Sequence, residues 1–370
     1  MNSNVVLFLS GDVMTGRGID QVLARPGDPT LYEDYVHDAR DYVSLAEQMN
    51  GPIPHGVDGE YPWGDALHEL DRRSPDVRIV NLETSITRSD EHWPGKLVHY
   101  RMHPDNIGVL TAARIDCCAL ANNHVMDWGQ AGLVETLASL QRVHIASAGA
   151  GRNSQEAAAP AALPHSRSGR VLVFALAARS SGVPSAWRAE ASRPGVCLLE
   201  SYSDAEVERI GERVRRTKGA NDIAVASLHW GGNWGYAVPK EHVDFAHKLI
   251  DRAAVDVVHG HSSHHPMHVE IHHGRLVLFG CGDLLNDYEG IAGHAEYRPG
   301  LAFLYFAAIE VASGQLARLD LFPMRIRRLR LEYAAFEDAQ WLFRTLGAHG
   351  GWPGARADLE TSGTIVVTPR

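Results

Sequence analysis

Short runs of β-branched and other apolar residues alternate along this chain with longer amphipathic segments, and that alternation restricts the fold more than any other feature. Residues 5–9, 77–82, 115–120, 144–148, 171–177, 223–228 and 255–258 read as buried strands. Between them, residues 64–73, 104–114, 129–143, 204–218 and 240–252 carry apolar side chains at helical spacing. Strand–helix alternation of this kind predicts an α/β fold with a largely central sheet. The later runs at 275–279, 301–311 and 316–323 follow one another without helices, which predicts antiparallel additions and a sandwich in place of one doubly wound sheet.

Three stretches break the pattern. Residues 26–63, rich in Pro, Gly, Asp and Tyr, read as a long insertion over one face. Residues 150–169 read as a surface connection, and the segment from 350 onward is weakly patterned. The expected organisation is one catalytic domain over 1–325 carrying the 26–63 insertion, with 326–370 as an extension packed on it. A formal charge of −10 argues against nucleic acid or an anionic membrane as the partner. Four cysteines without CxxC spacing read as reduced, buried thiols. The opening Met1-Asn2-Ser3-Asn4 has no basic n-region, and the apolar run after it is too short for a leader or membrane span. A cytoplasmic location follows as an expectation.

Polar residues cluster where the expected strands end, the edge at which open α/β sheets place their ligands. Asp12 follows the first run, Glu83 the second, and Asn122, Asn123 and His124 the third. His229 closes the run at 223–228, His259, His261, His264 and His265 follow 255–258, and Asp283 follows 275–279. Any one of these alone is an ordinary turn former or a satisfied core histidine. Together they converge on one sheet edge and point to a metal or acid–base site.

The order of these elements resembles the calcineurin-like metallophosphoesterase superfamily, and within it the capsule-biosynthesis group typified by CapA. The resemblance rests on Gly11-Asp12-Val13-Met14, Asn81-Leu82-Glu83-Thr84, Ala121-Asn122-Asn123-His124, His229-Trp230-Gly231 and Gly260-His261-Ser262-Ser263-His264. It covers the chain from about residue 5 to about residue 311. It implies a four-layered αββα sandwich with a metal site at the strand ends.

Two departures shape the expected chemistry. Superfamily members open with Asp-x-His, whereas here the third position is Met14, a poor ligand for hard cations. Asn81 and Glu83 stand where an Asp bridging two metals is expected. The reading is therefore one divalent ion held by Asp12, Glu83 and Asn123 with His229 or His261. Ca²⁺, Mg²⁺ or Mn²⁺ suits the oxygen donors, and Zn²⁺ or Fe becomes favourable where imidazole binds. Asp12, His124, His261, His264, Asp283 and His294 exceed what one ion needs and supply acids and bases. Within the group the chain resembles the lasso-peptide epimerases, which invert the C-terminal tryptophan of a ribosomally made precursor peptide. The leading expectation is thus a metal-dependent peptide epimerase, an isomerase working by two-base proton exchange at Cα. The alternative is a hydrolase, either a phosphoesterase or an amide hydrolase of poly-γ-glutamate-like polymers; a third reading is a non-catalytic scaffold. Arg17, Arg101 and Lys96 are candidates to grip a terminal carboxylate. Tyr288 is placed to line the pocket, and the aromatic 26–63 insertion to form a peptide groove.

Overall fold

The computed structural model describes residues 4–370. Met1, Asn2 and Ser3, which belong to the leader argument, lie outside the described residues. The chain is mixed α/β, built on a ten-stranded and a seven-stranded sheet.

In the larger sheet, Asn4–Val13 is central. Val77–Leu82, Cys117–Ala119 and Ala146–Ala148 follow it in parallel on one side. Leu301–Glu310, Leu316–Arg327, Ile365–Pro369 and Ala355–Leu359 continue it antiparallel on the other. The second sheet runs Leu198–Leu199, Gly169–Ala178, Ile223–His229, Val257–His261, Arg275–Leu278 and Val269–His272. Along this order each strand is parallel to the next except the last, Val269–His272, which pairs antiparallel with Arg275–Leu278 as an edge hairpin. Of the expected antiparallel additions, 301–311 and 316–323 join the first sheet, whereas 275–279 enters the second sheet parallel to Val257–His261, alongside the runs at 171–177, 223–228 and 255–258.

Side-chain alternation divides the packing. Val171, Val173, Ala175 and Ala177 enter one large core with Val5, Leu7, Leu9 and Ile79 of the other sheet. Leu172, Phe174 and Leu176 point the other way, into a second core with Val207, Ile210 and Val214 and with Phe245, Leu249 and Ile250. Those last two groups lie on the helices Asp204–Thr217 and Lys240–Ala253. A period of two along a strand buried on both faces makes this division, and each large side chain so buried contributes about 2 kcal/mol. The helix Asp204–Thr217 starts where Ser203 accepts from the Glu206 N–H, and it keeps acids in its first turn and arginines in its last.

Several segments carry more structure than their composition suggests. The 26–63 region contains the helix Arg40–Asn50, which buries Tyr42, Val43 and Ala46. The connection at 150–169 contains the strand Ala161–His165, paired antiparallel with Gly169–Ala178. Past residue 350, the hairpin Ala355–Leu359 and Ile365–Pro369 extends the first sheet. The helix expected over 104–114 divides into a 3₁₀ turn at Pro104–Asn106 and a short helix at Gly108–Ala112. The four cysteines are free and buried. Among the described residues, no helix is long and apolar enough to cross a membrane.

Candidate metal centre and acid–base site

Strand register assembles the centre. Asn4–Val13 pairs with Leu301–Glu310 only as far as Leu9, and at Asp12 its partner on that side becomes the parallel strand Asp283–Leu285. A register shift between Leu9 and Asp12 also brings Asp12 level with Asn81 on the opposite side. Asp12 therefore sits in one row with Asn81 and Asp283. Gly11 permits this crossing: a Cβ there would lie 1.6 Å from the Gly282 carbonyl oxygen, which accepts the Asp12 N–H at 2.9 Å. On the second sheet His229 and His261 are direct register partners. His259 joins the two sheets through an Nε2 contact of 2.7 Å with the Ser10 carbonyl. Ser227 Oγ lies 2.8 Å from Nε2 of His261 and 3.2 Å from Nδ1 of His259, so one hydroxyl orients both rings.

Two ligand-grade sets share Asp12. Atoms of Asp12, His229 and His261 lie within 4.8 Å of one another, and so do atoms of Asp12, His264 and Asp283. Glu83 and Asn123 border the first set, with Glu83 Oε1 at 3.8 Å and Asn123 Oδ1 at 3.0 Å from Nε2 of His229. Asn81 donates to Asp12 Oδ1 at 2.8 Å and to Glu83 Oε2 at 3.0 Å. Asp12 Oδ2 is buried and has no hydrogen-bond partner. The sequence led to one set of ligands; the structure presents two, because Asp283 enters beside Asp12. Met14 is fully buried and meets Tyr288 Oη with its sulfur at 3.6 Å, so it serves as packing and not as a ligand.

Electrostatics fit a cation. Burial, and then the neighbouring Asp283, push the Asp12 carboxyl up to about 7. Burial, reinforced by Asp12, holds Glu83 well above the ordinary range. Crowded, desolvated carboxylates resist ionisation unless a positive charge joins them. Burial likewise drives His229 and His261 well below the usual imidazole range, leaving neutral rings with lone pairs to offer. An unpartnered buried carboxylate oxygen between neutral imidazoles fits a divalent metal.

Beside the ligand sets stand two histidine–carboxylate pairs. His264 Nδ1 lies 2.8 Å from Asp283 Oδ1; burial opposes its protonation, but Asp283 and Asp12 outweigh it and the ring is raised overall. His124 Nδ1 lies 2.6 Å from Asp127 Oδ2, while burial pushes His124 down to about 4 against that pull. Asp127 also accepts from Lys96 and from the Tyr100 N–H at 2.7 Å. A proton held on Nδ1 leaves His124 Nε2 facing the centre, 3.9 Å from Glu83. Asn122 is a positioning residue: its Oδ1 accepts the N–H groups of His124 and Val125.

The proposed substrate grips are placed differently from expectation. Arg17 borders the cavity beside His264, but Asp287, Glu33 and Tyr42 already occupy its guanidinium. Arg101 stacks on Trp128 and is tied to the Ser89 and Asp28 carbonyls and to Asp90, so it does not reach the cavity. Lys96 is committed to Asp127 and the Asn123 carbonyl. Their charges are spent within the fold, which corrects the idea of free carboxylate clamps. Tyr288 does line the cavity, edge-on to His264, and the exposed His294 lines it too, stacked at 4.0 Å on Trp234. The cavity measures about 180 Å³ and is walled by Tyr100, Trp234 and Tyr288. From the 26–63 insertion only Tyr35 reaches it; Tyr42 and Trp63 are buried, and Tyr61 donates to the Arg328 carbonyl. Sequence reasoning missed Asp127, whose spacing of three residues from His124 was the available signal, and Trp234, which had none.

The family model described as bacterial capsule synthesis protein PGA_cap matches residues 6–288. The chain belongs to that family. Over 366 residues it is 48% identical to a probable polyglutamine synthesis accessory protein of Mycobacterium tuberculosis, covering 99% of this chain and 96% of that one. It is 20% identical over 287 residues to the capsule biosynthesis protein CapA of Bacillus anthracis, covering 77% of this chain and 61% of the relative. Identity to the PGA biosynthesis protein CapA of Bacillus subtilis is 21% over 280 residues, covering 75% and 62%. These relatives are named for polymer and capsule synthesis. They do not carry the finer assignment to lasso-peptide epimerases, and the polymer-directed alternative lies nearer to them.

Proposed function

We propose that this protein is a metal-dependent hydrolase that cuts amide bonds in a glutamyl or glutaminyl polymer during its synthesis. The unpartnered Asp12 Oδ2 between two ligand sets carries the reading. Asp12, His229 and His261, bordered by Glu83 and Asn123, would hold one divalent ion, and Asp12, His264 and Asp283 offer a second position. The imidazoles favour Mn²⁺, Fe or Zn²⁺ over Ca²⁺ or Mg²⁺. A bound ion supplies Lewis acidity toward an amide carbonyl and makes water acidic enough to attack near neutral pH.

The chain's own groups handle the rest. His124, fixed by Asp127, is the candidate that returns a proton to the departing amine. Tyr100, Trp234 and Tyr288 would enclose a polymer residue in the cavity beside His264 and keep water from it. In this reading the two packed sheets and their outer helices are the αββα sandwich of the calcineurin-like metallophosphoesterases. Four free, buried cysteines favour a reducing, cytoplasmic setting.

The test is incubation of the manganese-loaded protein with oligo-γ-glutamate and oligoglutamine in D₂O, followed by mass spectrometry. Chain shortening without deuterium at Cα is expected. Deuterium at Cα with chain length unchanged would overturn the hydrolase and restore epimerisation; neither change would leave no role for catalysis on these polymers.

A further inference from the structure

A second group of metal-ligand side chains lies outside the Asp12 centre and shares no residue with it. The helix Lys240–Ala253 places His247 and Asp251 one turn apart, and the edge strand Val269–His272 places Glu270 and His272 on one face. His273, at φ 48°, begins the turn that follows. Helical and strand periodicities thus bring these side chains to one spot. His247 Nε2 lies 2.7 Å from Glu270 Oε1, and its ring stacks on His272 at 3.8 Å and 5°. His272 Nε2 is 3.0 Å from Asp251 Oδ1, and His273 Nδ1 is 2.9 Å from the same oxygen. Ligand atoms of His247, Glu270 and His272 fall within 4.8 Å of one another, as do those of Asp251, His272 and His273.

When His272 donates from Nε2 to Asp251, its Nδ1 carries a free lone pair. A carboxylate behind a histidine in this way fixes the tautomer and raises the basicity of the ligating nitrogen. We propose that His247, Glu270 and His272 form a second transition-metal site selective for Zn²⁺-like ions, with Asp251 as the positioning residue for His272. The ion clips the helix Lys240–Ala253 to the edge hairpin of the second sheet, so its effect falls on stability and not on turnover. His273, whose side chain is 74% exposed, is an auxiliary donor.

Chelator-stripped full-length protein is titrated with ZnCl₂, and bound zinc is counted by elemental analysis after desalting, with Tm followed in parallel. The double variant His247→Gln/His272→Gln is expected to bind one Zn²⁺ fewer per chain and to lose part of the zinc-induced rise in Tm. Asp12→Asn, which cripples the other centre, is expected to keep one zinc equivalent. Asp251→Asn retains every ring and is expected to weaken that equivalent about tenfold or more. Unchanged zinc stoichiometry and Tm response in the double variant, or no zinc bound by Asp12→Asn, overturns the site.

Discussion

His242 offers a quantitative test of the packing around the second core. Its ring stacks on Trp230 at 4.6 Å and 2° and meets Tyr202 edge-on at 4.7 Å, and only 4% of the residue is exposed. Burial alone pushes its pKa from 6.5 down to about 4. The folded state therefore binds fewer protons than the unfolded state between those values. Stability from this site is complete above pH 6.5, is lost as pH falls toward 4, and changes no further below that. At about 1.4 kcal/mol per pH unit the whole window amounts to about 3 kcal/mol, of which about 2 kcal/mol is lost by pH 5. His242→Phe keeps a planar ring in the stack and removes the titration. Urea unfolding in EDTA at pH 7.5, 6 and 5 isolates the effect, because the metal ligands are then empty in both proteins. The variant should match the parent within about 1 kcal/mol at pH 7.5 and gain about 2 kcal/mol on it by pH 5. A stability difference that stays constant across this range would refute the reasoning.

Asp12→Asn removes one of the crowded carboxylates. The metal-free variant should unfold at the same temperature as the parent or higher, while the manganese-induced rise in Tm disappears; an undiminished rise would exclude Asp12 as a ligand. Asp127→Asn leaves Lys96 and His124 without their buried partner, and should cost about 3 kcal/mol in urea unfolding and lower polymer cleavage about 100-fold or more. Full cleavage activity would remove the His124–Asp127 pair from the chemistry. Arg17→Gln strands Asp287 and Glu33 without their buried partner, and should cost about 3–5 kcal/mol in urea unfolding at pH 7.5. A cost below about 1 kcal/mol would mean that stranding these two carboxylates is not what destabilises the variant.

The parts of the fold legible in the sequence are those set by local periodicity. Strands buried on both faces write themselves as unbroken apolar runs, so Val77–Leu82 was read to its exact ends and Ile223–His229 to within one residue. Their polar terminators, Asp12, Glu83, His229 and His261, followed directly. What escaped depends on register between distant strands. Nothing near Asp283 says that its strand will displace Leu301–Glu310 beside Asp12. That displacement turns one ligand set into two and makes the loss of a histidine at Met14 less consequential than the sequence suggested. Segments whose buried residues are few, such as Ala161–His165 and Ala355–Leu359, gave weak patterns because each is covered largely on one face.

The 26–63 insertion shows the same limit and has a structural consequence. Its tyrosines suggested a groove, yet its contribution near the centre is Glu33 and Tyr42, which hold the Arg17 guanidinium from one side while Asp287 holds it from the other. Arg17 stacks over Tyr42 and Tyr100 at 3.9 and 4.4 Å, and Asp287 also accepts the Gly18 N–H at 2.9 Å. Tyr288, the next residue, is thereby held between Met14, Tyr100 and the His264 ring. A buried ion pair of this kind contributes little net stability over an apolar replacement, but it fixes geometry. The insertion therefore acts on the centre through Arg17: it sets the wall of the cavity beside His264, the wall that a polymer residue would meet in the proposed hydrolase.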